Sequence, residues 1–257
     1  MPTSLTFDHL LATLTAAGPR LAAAVREAGP TVPVPTCPAW DANALLAHQA
    51  MVHRWATAII TGTDPDDVPT QTELRGHGDL HSYYDAGHAA LVAALTAATD
   101  DLDVMTFLKD APPARHFWAR RQAHETTMHA VDALGAVLGR VPTTPEAGVP
   151  TEVALDGLDE LLRGFYTRGR SKLFDGTEYT FAVQPTDAAR RWVVHVAEKL
   201  TVDDGDEAPV PGDVGAVLSG SAAALYLALW NRGSDIDVAG DADIATAWRE
   251  RQKVTWS

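Results

Sequence analysis

The sequence predicts an α-helical half followed by an α+β half: an N-terminal four-helix bundle in residues 1–140 and a smaller α/β C-terminal domain in residues 150–257. Three observations support this prediction. Four long segments before residue 140 carry apolar residues at helical spacing. The stretch Gly139–Pro150 holds three prolines and two glycines, which is typical of a linker. After it, short apolar runs rich in β-branched residues indicate strands.

The first half contains four predicted helices joined by polar connections. They run over Ser4–Arg26, Ala42–Ile60, Asp79–Thr99 and Pro112–Leu138. Asp41 is a predicted N-cap of the second helix, which Gly62 ends. Thr63–Gly78 is polar and contains proline and glycine, so it is predicted to be a loop. Helices of this length with such connections favour a four-helix bundle.

The second half mixes helices and strands. A helix is predicted over Thr151–Leu173, a short one from Ser221 to Trp230, and a last one from about Asp241. The predicted strands are Tyr179–Val183, Trp192–Val196, Val214–Leu218 and Ile236–Val238. The acidic run Asp203–Glu207 lacks the spacing and the closing glutamate of an EF-hand loop, so it is predicted to be a solvated turn.

Composition narrows the range of partners and compartments. Hydrophobic residues make up 46% of the 257 residues, which is enough for a sizeable core. The net charge of −14 argues against binding to nucleic acid or to an anionic membrane. Cys37 is the only cysteine, so no internal disulfide can form. Because no secretory signal or membrane-spanning run is present, we expect a cytoplasmic protein. We also expect a monomer or homodimer whose partners are small molecules.

Two histidines and one glutamate form a candidate metal site. Glu125 and His129 are four residues apart on a predicted helix and therefore share a face, while His48 lies on another apolar helix. Two imidazoles and a carboxylate are a zinc-type ligand set that leaves one coordination position for chemistry. His124 and His129 are five apart, so this is not the HExxH motif of zinc proteases. Glu125 is therefore interpreted as a ligand.

Other polar residues near these positions have two interpretations each. Arg121 could support the Glu125 carboxylate, or the two could form an ordinary ion pair on a solvated face. Asp132 could orient His129 through the free ring nitrogen, or it could be a solvated helix residue. His53 and His124 are predicted to lie outside the site, and Cys37 is predicted to be a packed turn residue rather than a nucleophile.

Three motifs together resemble the mycothiol-dependent maleylpyruvate isomerase family, a branch of the DinB-like metalloenzymes. They lie within Val34–His48, Arg121–Ala133 and Leu227–Arg232. The resemblance implies a DinB-like four-helix bundle that carries zinc, with His48, Glu125 and His129 as its ligands, and mycothiol as the typical thiol cosubstrate. One position departs from the family pattern, because Ala130 follows His129 where many relatives carry arginine. We therefore do not assign the substrate of maleylpyruvate isomerase to this protein.

Three functions are compatible with this site. The first is a zinc or other divalent-metal enzyme that activates a small thiol for S-transfer to an electrophile or for isomerisation of its double bond. The resemblance implies that this thiol is mycothiol. The second is a zinc hydrolase that does not need a thiol. The third is a non-catalytic bundle that binds a metal or a small ligand.

Arg232 also has two interpretations. In a thiol-activating enzyme, it is a candidate catalytic residue that holds a substrate anion. Alternatively, Arg232 only interacts with a helix C-terminus.

Overall fold

A computed structural model describes residue 3 and residues 5–108, 110–205 and 214–252. The chain forms two compact units. We call the first the helical unit, which comprises Leu5–Phe107 and Ala111–Pro142. We call the second the sheet unit, which comprises the described residues from Thr143 onward together with Leu108 and Asp110. Within the described residues, no helix combines the length and the apolarity that are needed to span a membrane.

Four long helices make up most of the helical unit. They are α1 (Phe7–Ala28), α2 (Ala42–Thr61), α4 (Leu80–Ala97) and α5 (Ala114–Leu138), with a short helix α3 (Gln71–Leu74) between α2 and α4. Helix α5 packs against α1 and α2, and α4 packs against α1 and α2. A core cluster of buried side chains joins α1, α2, α4 and α5. The predicted helical half is confirmed, with four helices of bundle length.

Side-chain caps explain where these helices begin and end. The side chain of Asp41 accepts a hydrogen bond from the amide of Ala44 at the start of α2, and Asp79 caps α4 through Ser82 in the same way. Gly62 and Gly139 adopt left-handed conformations with φ of 74° and 65°, which end α2 and α5. The predicted boundaries are close to the observed ones because they rest on these local signals.

The sheet unit contains a five-stranded mixed sheet with the order β3-β2-β1-β4-β5. Its strands are β1 (Tyr179–Pro185), β2 (Arg191–Val196), β3 (Thr201–Gly205), β4 (Ala216–Gly220) and β5 (Asp237–Gly240). Strand β1 pairs parallel to β4, and the other pairs are antiparallel. Its helices are α6 (Thr144–Ala147), α7 (Thr151–Asp159) with a π-helical turn over Glu160–Phe165, α8 (Ala222–Leu229) and α9 (Ala242–Arg251). The predicted α+β half is confirmed.

Several local predictions are wrong in extent. The helix predicted to reach Leu173 ends at Phe165, after the π-helical turn. The loop predicted over Thr63–Gly78 contains α3 and a 3₁₀ turn, and the predicted linker contains α6. Asp203 lies in edge strand β3 rather than in a turn, because pairing with β2 compensates for its low strand propensity. Ser4, Asp206 and Glu207, which were part of these predictions, lie outside the described residues.

Candidate metal centre

Three buried ligand-type side chains converge between α2 and α5. His48 of α2 and Glu125 and His129 of α5 have relative exposures of 3%, 5% and 7%. One ligand atom from each lies within 4.8 Å of the other two. Glu125 Oε1 is 3.4 Å from His48 Nε2 and 3.2 Å from His129 Nε2. The structure thus brings together the three residues that the sequence predicted as ligands.

Helix packing explains this convergence. Glu125 and His129 lie one turn apart on α5, and their side chains therefore lie on the same face. His48 lies in the first half of α2, which packs against α5. The apolar residues around His48 on α2, such as Leu45, Leu46 and Ala47, belong to the core cluster and hold α2 in place.

Two of the three donor separations fit a tetrahedral metal ion. Two ligands about 2.1 Å from zinc at the tetrahedral angle are separated from each other by about 3.4 Å. The measured separations of 3.4 and 3.2 Å around Glu125 Oε1 agree with this value. Imidazole and carboxylate are donors that zinc accepts. His48, Glu125 and His129 could therefore hold a divalent ion.

Two further side chains contact these ligands. Arg121 Nη2 donates to Glu125 Oε2 at 3.1 Å, and His129 Nδ1 lies 2.8 Å from Asp132 Oδ2. Arg121 and Asp132 are 2% and 0% exposed, so neither lies on a solvated face. A carboxylate next to the second ring nitrogen of a histidine ligand fixes its tautomer and orientation. The geometry is the one expected if Arg121 and Asp132 support the ligands.

Burial and neighbouring charges shift the pKa values of the three side chains. Burial favours the neutral form of Glu125, but hydrogen bonds from His129 and His48 outweigh it and hold its pKa well below the usual range. Burial also disfavours charged His129, but hydrogen bonds to Asp132 and Glu125 raise its pKa to about 9. The pKa of His48 is lowered, chiefly by burial. Glu125 is therefore an anion at neutral pH.

The loop before α2, which we call the proline loop (residues 31–40), also contacts the site. The Trp40 ring centroid lies 4.7 Å from that of His48 and 5.8 Å from that of His129. Thr36 Oγ1 donates to Asp132 Oδ1 at 2.5 Å, and Cys37 Sγ lies 3.5 Å from Asp132 Oδ2. Neither the role of Thr36 nor the contact between Cys37 and Asp132 is predicted by the sequence. The only available signal was that these residues share a motif with His48.

Other histidines of the helical unit lie outside this cluster. His53 is completely buried, and its Nε2 lies 3.0 Å from Thr126 Oγ1 and 2.9 Å from Gln49 Nε2. His124 is also completely buried. Neither belongs to the group of potential ligands that converges at Glu125. The cluster therefore contains two of the five histidines on α2 and α5.

Arg232 belongs to the sheet unit and follows α8. Asn231 has a positive φ of 62°, and the amide of Arg232 then donates to the carbonyl of Leu227 at 2.7 Å. The guanidinium donates through Nη1 to the carbonyl of Trp230 at 2.7 Å. Arg232 therefore interacts with the C-terminal end of α8. Its catalytic role stays a prediction.

Comparison with known proteins identifies both halves. Residues 11–134 match the mycothiol maleylpyruvate isomerase N-terminal domain, and residues 152–247 match the C-terminal domain of the same family. A crystal structure of the mycothiol-dependent maleylpyruvate isomerase shares 16% sequence identity with this chain at a TM-score of 0.61, covering 93% of this chain and 96% of that one. A mutant of that isomerase, with one histidine replaced by alanine, matches over the same shares at 16% identity and a TM-score of 0.60.

At this level of identity, the two solved structures establish similarity of fold alone. Comparison with curated proteins gives no match. The two family matches together span most of the chain and leave only a short connecting segment between them. The chain therefore belongs to the mycothiol maleylpyruvate isomerase family.

Proposed function

We propose that this protein is a thiol-dependent enzyme that holds zinc, or another divalent ion, through His48, Glu125 and His129. Its cosubstrate is a low-molecular-weight thiol, with mycothiol as the first candidate, and its second substrate is a small electrophile. The reaction is isomerisation of a double bond or S-transfer. The observation that carries the proposal is the convergence of three buried donors within 4.8 Å. Membership of the isomerase family supports the thiol.

Among the described residues, three protein donors form this cluster, whereas structural zinc sites usually have four. This difference favours a catalytic site with a position for a small ligand. A bound divalent ion would lower the pKa of a coordinated thiol, so that the thiol would be deprotonated at neutral pH. A free thiol has a pKa of about 8.5 and is mostly protonated there.

The protein residues hold and orient this ligand set. Glu125 contributes the negative charge, and Arg121 fixes its second oxygen. Asp132 accepts from His129 Nδ1, which leaves Nε2 facing Glu125. A metal that replaced the Nε2 proton would bind at this nitrogen. Trp40 covers one side of the two imidazoles with an apolar surface. These contacts keep the donors in position before any ligand binds.

The two reactions begin with the same step. The thiolate sulfur forms a bond to an electrophilic carbon, and the electron pair of the double bond moves away from that carbon. For isomerisation, rotation follows and the same C–S bond breaks, so that the thiol is regenerated. For S-transfer, the C–S bond remains and a proton adds to the neighbouring carbon. Thiol consumption therefore separates the two reactions.

The test combines metal analysis with turnover. The purified protein should hold about one divalent ion per chain. His129→Ala should lose this ion, whereas His77→Ala, which changes an exposed histidine outside the cluster, should keep it. A cobalt-substituted sample should develop a sulfur-to-metal charge-transfer band when thiol is added, and Cys37→Ser should leave that band intact.

Turnover is then measured with mycothiol and a panel of electrophilic alkenes. Product formation that requires both thiol and metal is the expected result. Full metal occupancy in His129→Ala would contradict the ligand set. Metal-dependent cleavage of esters or amides without thiol would contradict the thiol-dependent function and indicate a hydrolase.

A further inference from the structure

We propose that Thr36 is a positioning residue of the metal site: its hydroxyl holds Asp132, and Asp132 in turn holds His129 with Nε2 directed toward Glu125. This inference rests on the proposed function, because it concerns affinity for the metal. It adds to the site a residue of the proline loop that belongs to neither of the helices carrying the ligands.

The contacts form a continuous chain. Thr36 Oγ1 lies 2.5 Å from Asp132 Oδ1, and His129 Nδ1 lies 2.8 Å from Asp132 Oδ2. His129 Nε2 is 3.2 Å from Glu125 Oε1. Each oxygen of the Asp132 carboxylate thus has a different partner. Because the carboxylate is planar, fixing Oδ1 also fixes the direction in which Oδ2 accepts.

The hydrogen bond from Thr36 to Asp132 is of a strong type. A hydroxyl that donates to a carboxylate makes a short, charge-assisted hydrogen bond. Asp132 is completely buried, so water cannot readily replace a lost partner. Cys37 Sγ contacts Oδ2 at 3.5 Å, but a thiol is a weak donor and shares that oxygen with His129. The Thr36 hydroxyl is therefore the better-placed group to orient the carboxylate.

The proline loop can act as a fixed support because its backbone is closed on itself. The amide of Val34 donates to the carbonyl of Trp40 at 3.0 Å, and the amide of Trp40 donates to the carbonyl of Cys37 at 2.8 Å. The amide of Cys37 donates to the carbonyl of Val34 at 3.0 Å. Trp40, at the end of the same loop, contacts the ring of His48. One rigid segment thus touches both histidine ligands, one directly and one through Asp132.

The test measures zinc affinity of the full chain by competition with a chelator. Thr36→Val removes the hydroxyl and keeps the shape, and we expect it to weaken zinc binding by about 10- to 100-fold. Thr36→Ser restores the hydroxyl and should bind within about threefold of wild type, since the hydrogen bond is regained. Thr13→Val is the matched control, because its partly buried hydroxyl bonds the carbonyl of His9 within α1. It should bind zinc like wild type.

A double-mutant cycle with Asp132→Asn tests the route of the effect and covers the case in which Thr36→Val loses stability. If Thr36 acts through Asp132, Thr36→Val should weaken zinc binding much less in the Asp132→Asn background. Additive losses would overturn the inference, as would wild-type affinity in Thr36→Val or equal weakness of the Val and Ser variants. Those results leave the proposed function standing. Absence of zinc binding by the wild type would instead overturn the proposed function together with this inference.

Discussion

At the scale of single residues, the centre of α5 is polar and buried. Arg121, Glu125 and Asp132 are at most 5% exposed, and each makes charged hydrogen bonds. A buried charge without a partner would cost several kcal/mol, roughly the stability margin of many domains. The pairing therefore determines whether this segment can be buried at all.

The pair of Arg121 and Glu125 should contribute far more to stability than an exposed pair. In metal-free protein, Arg121→Met should lower the free energy of unfolding by about 3 kcal/mol, because it leaves the Glu125 carboxylate buried with less compensation. Arg26→Met is the control: its partner Asp85 is 3.5 Å away and both side chains are more than half exposed, so the loss should stay below about 1 kcal/mol. Urea unfolding of both variants checks this; similar losses would contradict it.

His53 should make stability depend on pH. Burial, followed by the charges of His88, Arg54 and His129, lowers the pKa of His53 well below its usual value, whereas Glu125 opposes the shift. Below about pH 6.5 the unfolded chain binds a proton at His53 and the folded chain does not, so stability decreases as pH falls. As pH falls, the free energy of unfolding of His53→Gln should decrease less steeply than that of the wild type, by up to about 1.4 kcal/mol per pH unit. Identical pH profiles of unfolding for the variant and the wild type would contradict the shift.

The cluster of candidate ligands could be predicted from the sequence, but the residues that contact it could only partly be predicted. Glu125 and His129 lie one turn apart, and Asp132 lies three residues after His129, so their proximity is a local property of a helix. Thr36 is separated from Asp132 by 96 positions. Such a contact depends on how the proline loop packs on α5, and no spacing rule predicts it.

At the scale of elements, the helices of the first half were predicted well because caps and glycines determine their ends locally. The second half was predicted less well. Strand β3 contains two aspartates that disfavour strands, and it exists because β2 offers a pairing edge. The π-helical turn over Glu160–Phe165 likewise has no recognised signal in the sequence. Pairing and packing decide these elements, so local patterns did not predict them.

The contact between α1 and α4 should depend on Gly18. An added Cβ at this position would lie 2.3 Å from His88 Nε2, which itself lies 3.0 Å from the carbonyl of Leu14. The higher helix propensity of alanine should stabilise the Gly18→Ala variant by about 1 kcal/mol. Displacement of His88 should cost more than this gain, so we expect a lower melting temperature. Gly78→Ala is the control because its added Cβ meets nothing within 4 Å. A melting temperature raised by Gly18→Ala would show that His88 moves without cost.

At the scale of the whole molecule, the three candidate ligands and Arg121, Asp132 and Thr36 belong to the helical unit. The domain division into residues 1–140 and 150–257 stays a prediction, and so do the cytoplasmic location and the oligomeric state. The compact units and the two family matches support the division. The metal site and the sheet unit can therefore be tested separately.

A fragment of residues 1–142 should fold and bind zinc. Because it contains every residue assigned to the metal centre, it should show helical circular dichroism and about one zinc per chain. His129→Ala in the same fragment is the control and should lose the metal. A fragment that unfolds, or that binds no zinc although the full chain does, would show that the helical unit does not act as an independent domain.

Arg232 tests whether activity also requires the sheet unit. A planar guanidinium can hold a carboxylate or an oxyanion through two parallel hydrogen bonds, and an acidic protein with a net charge of −14 needs a local cation to do so. Arg232→Lys should keep the fold and the metal and lower kcat/KM for the electrophile, because a point charge replaces the two-pronged donor. Binding of the thiol should change little. A folded, zinc-loaded Arg232→Ala variant with wild-type kinetics would show that the hydrogen bond to the carbonyl of Trp230 is the role of this arginine, as a residue that stabilises the end of α8.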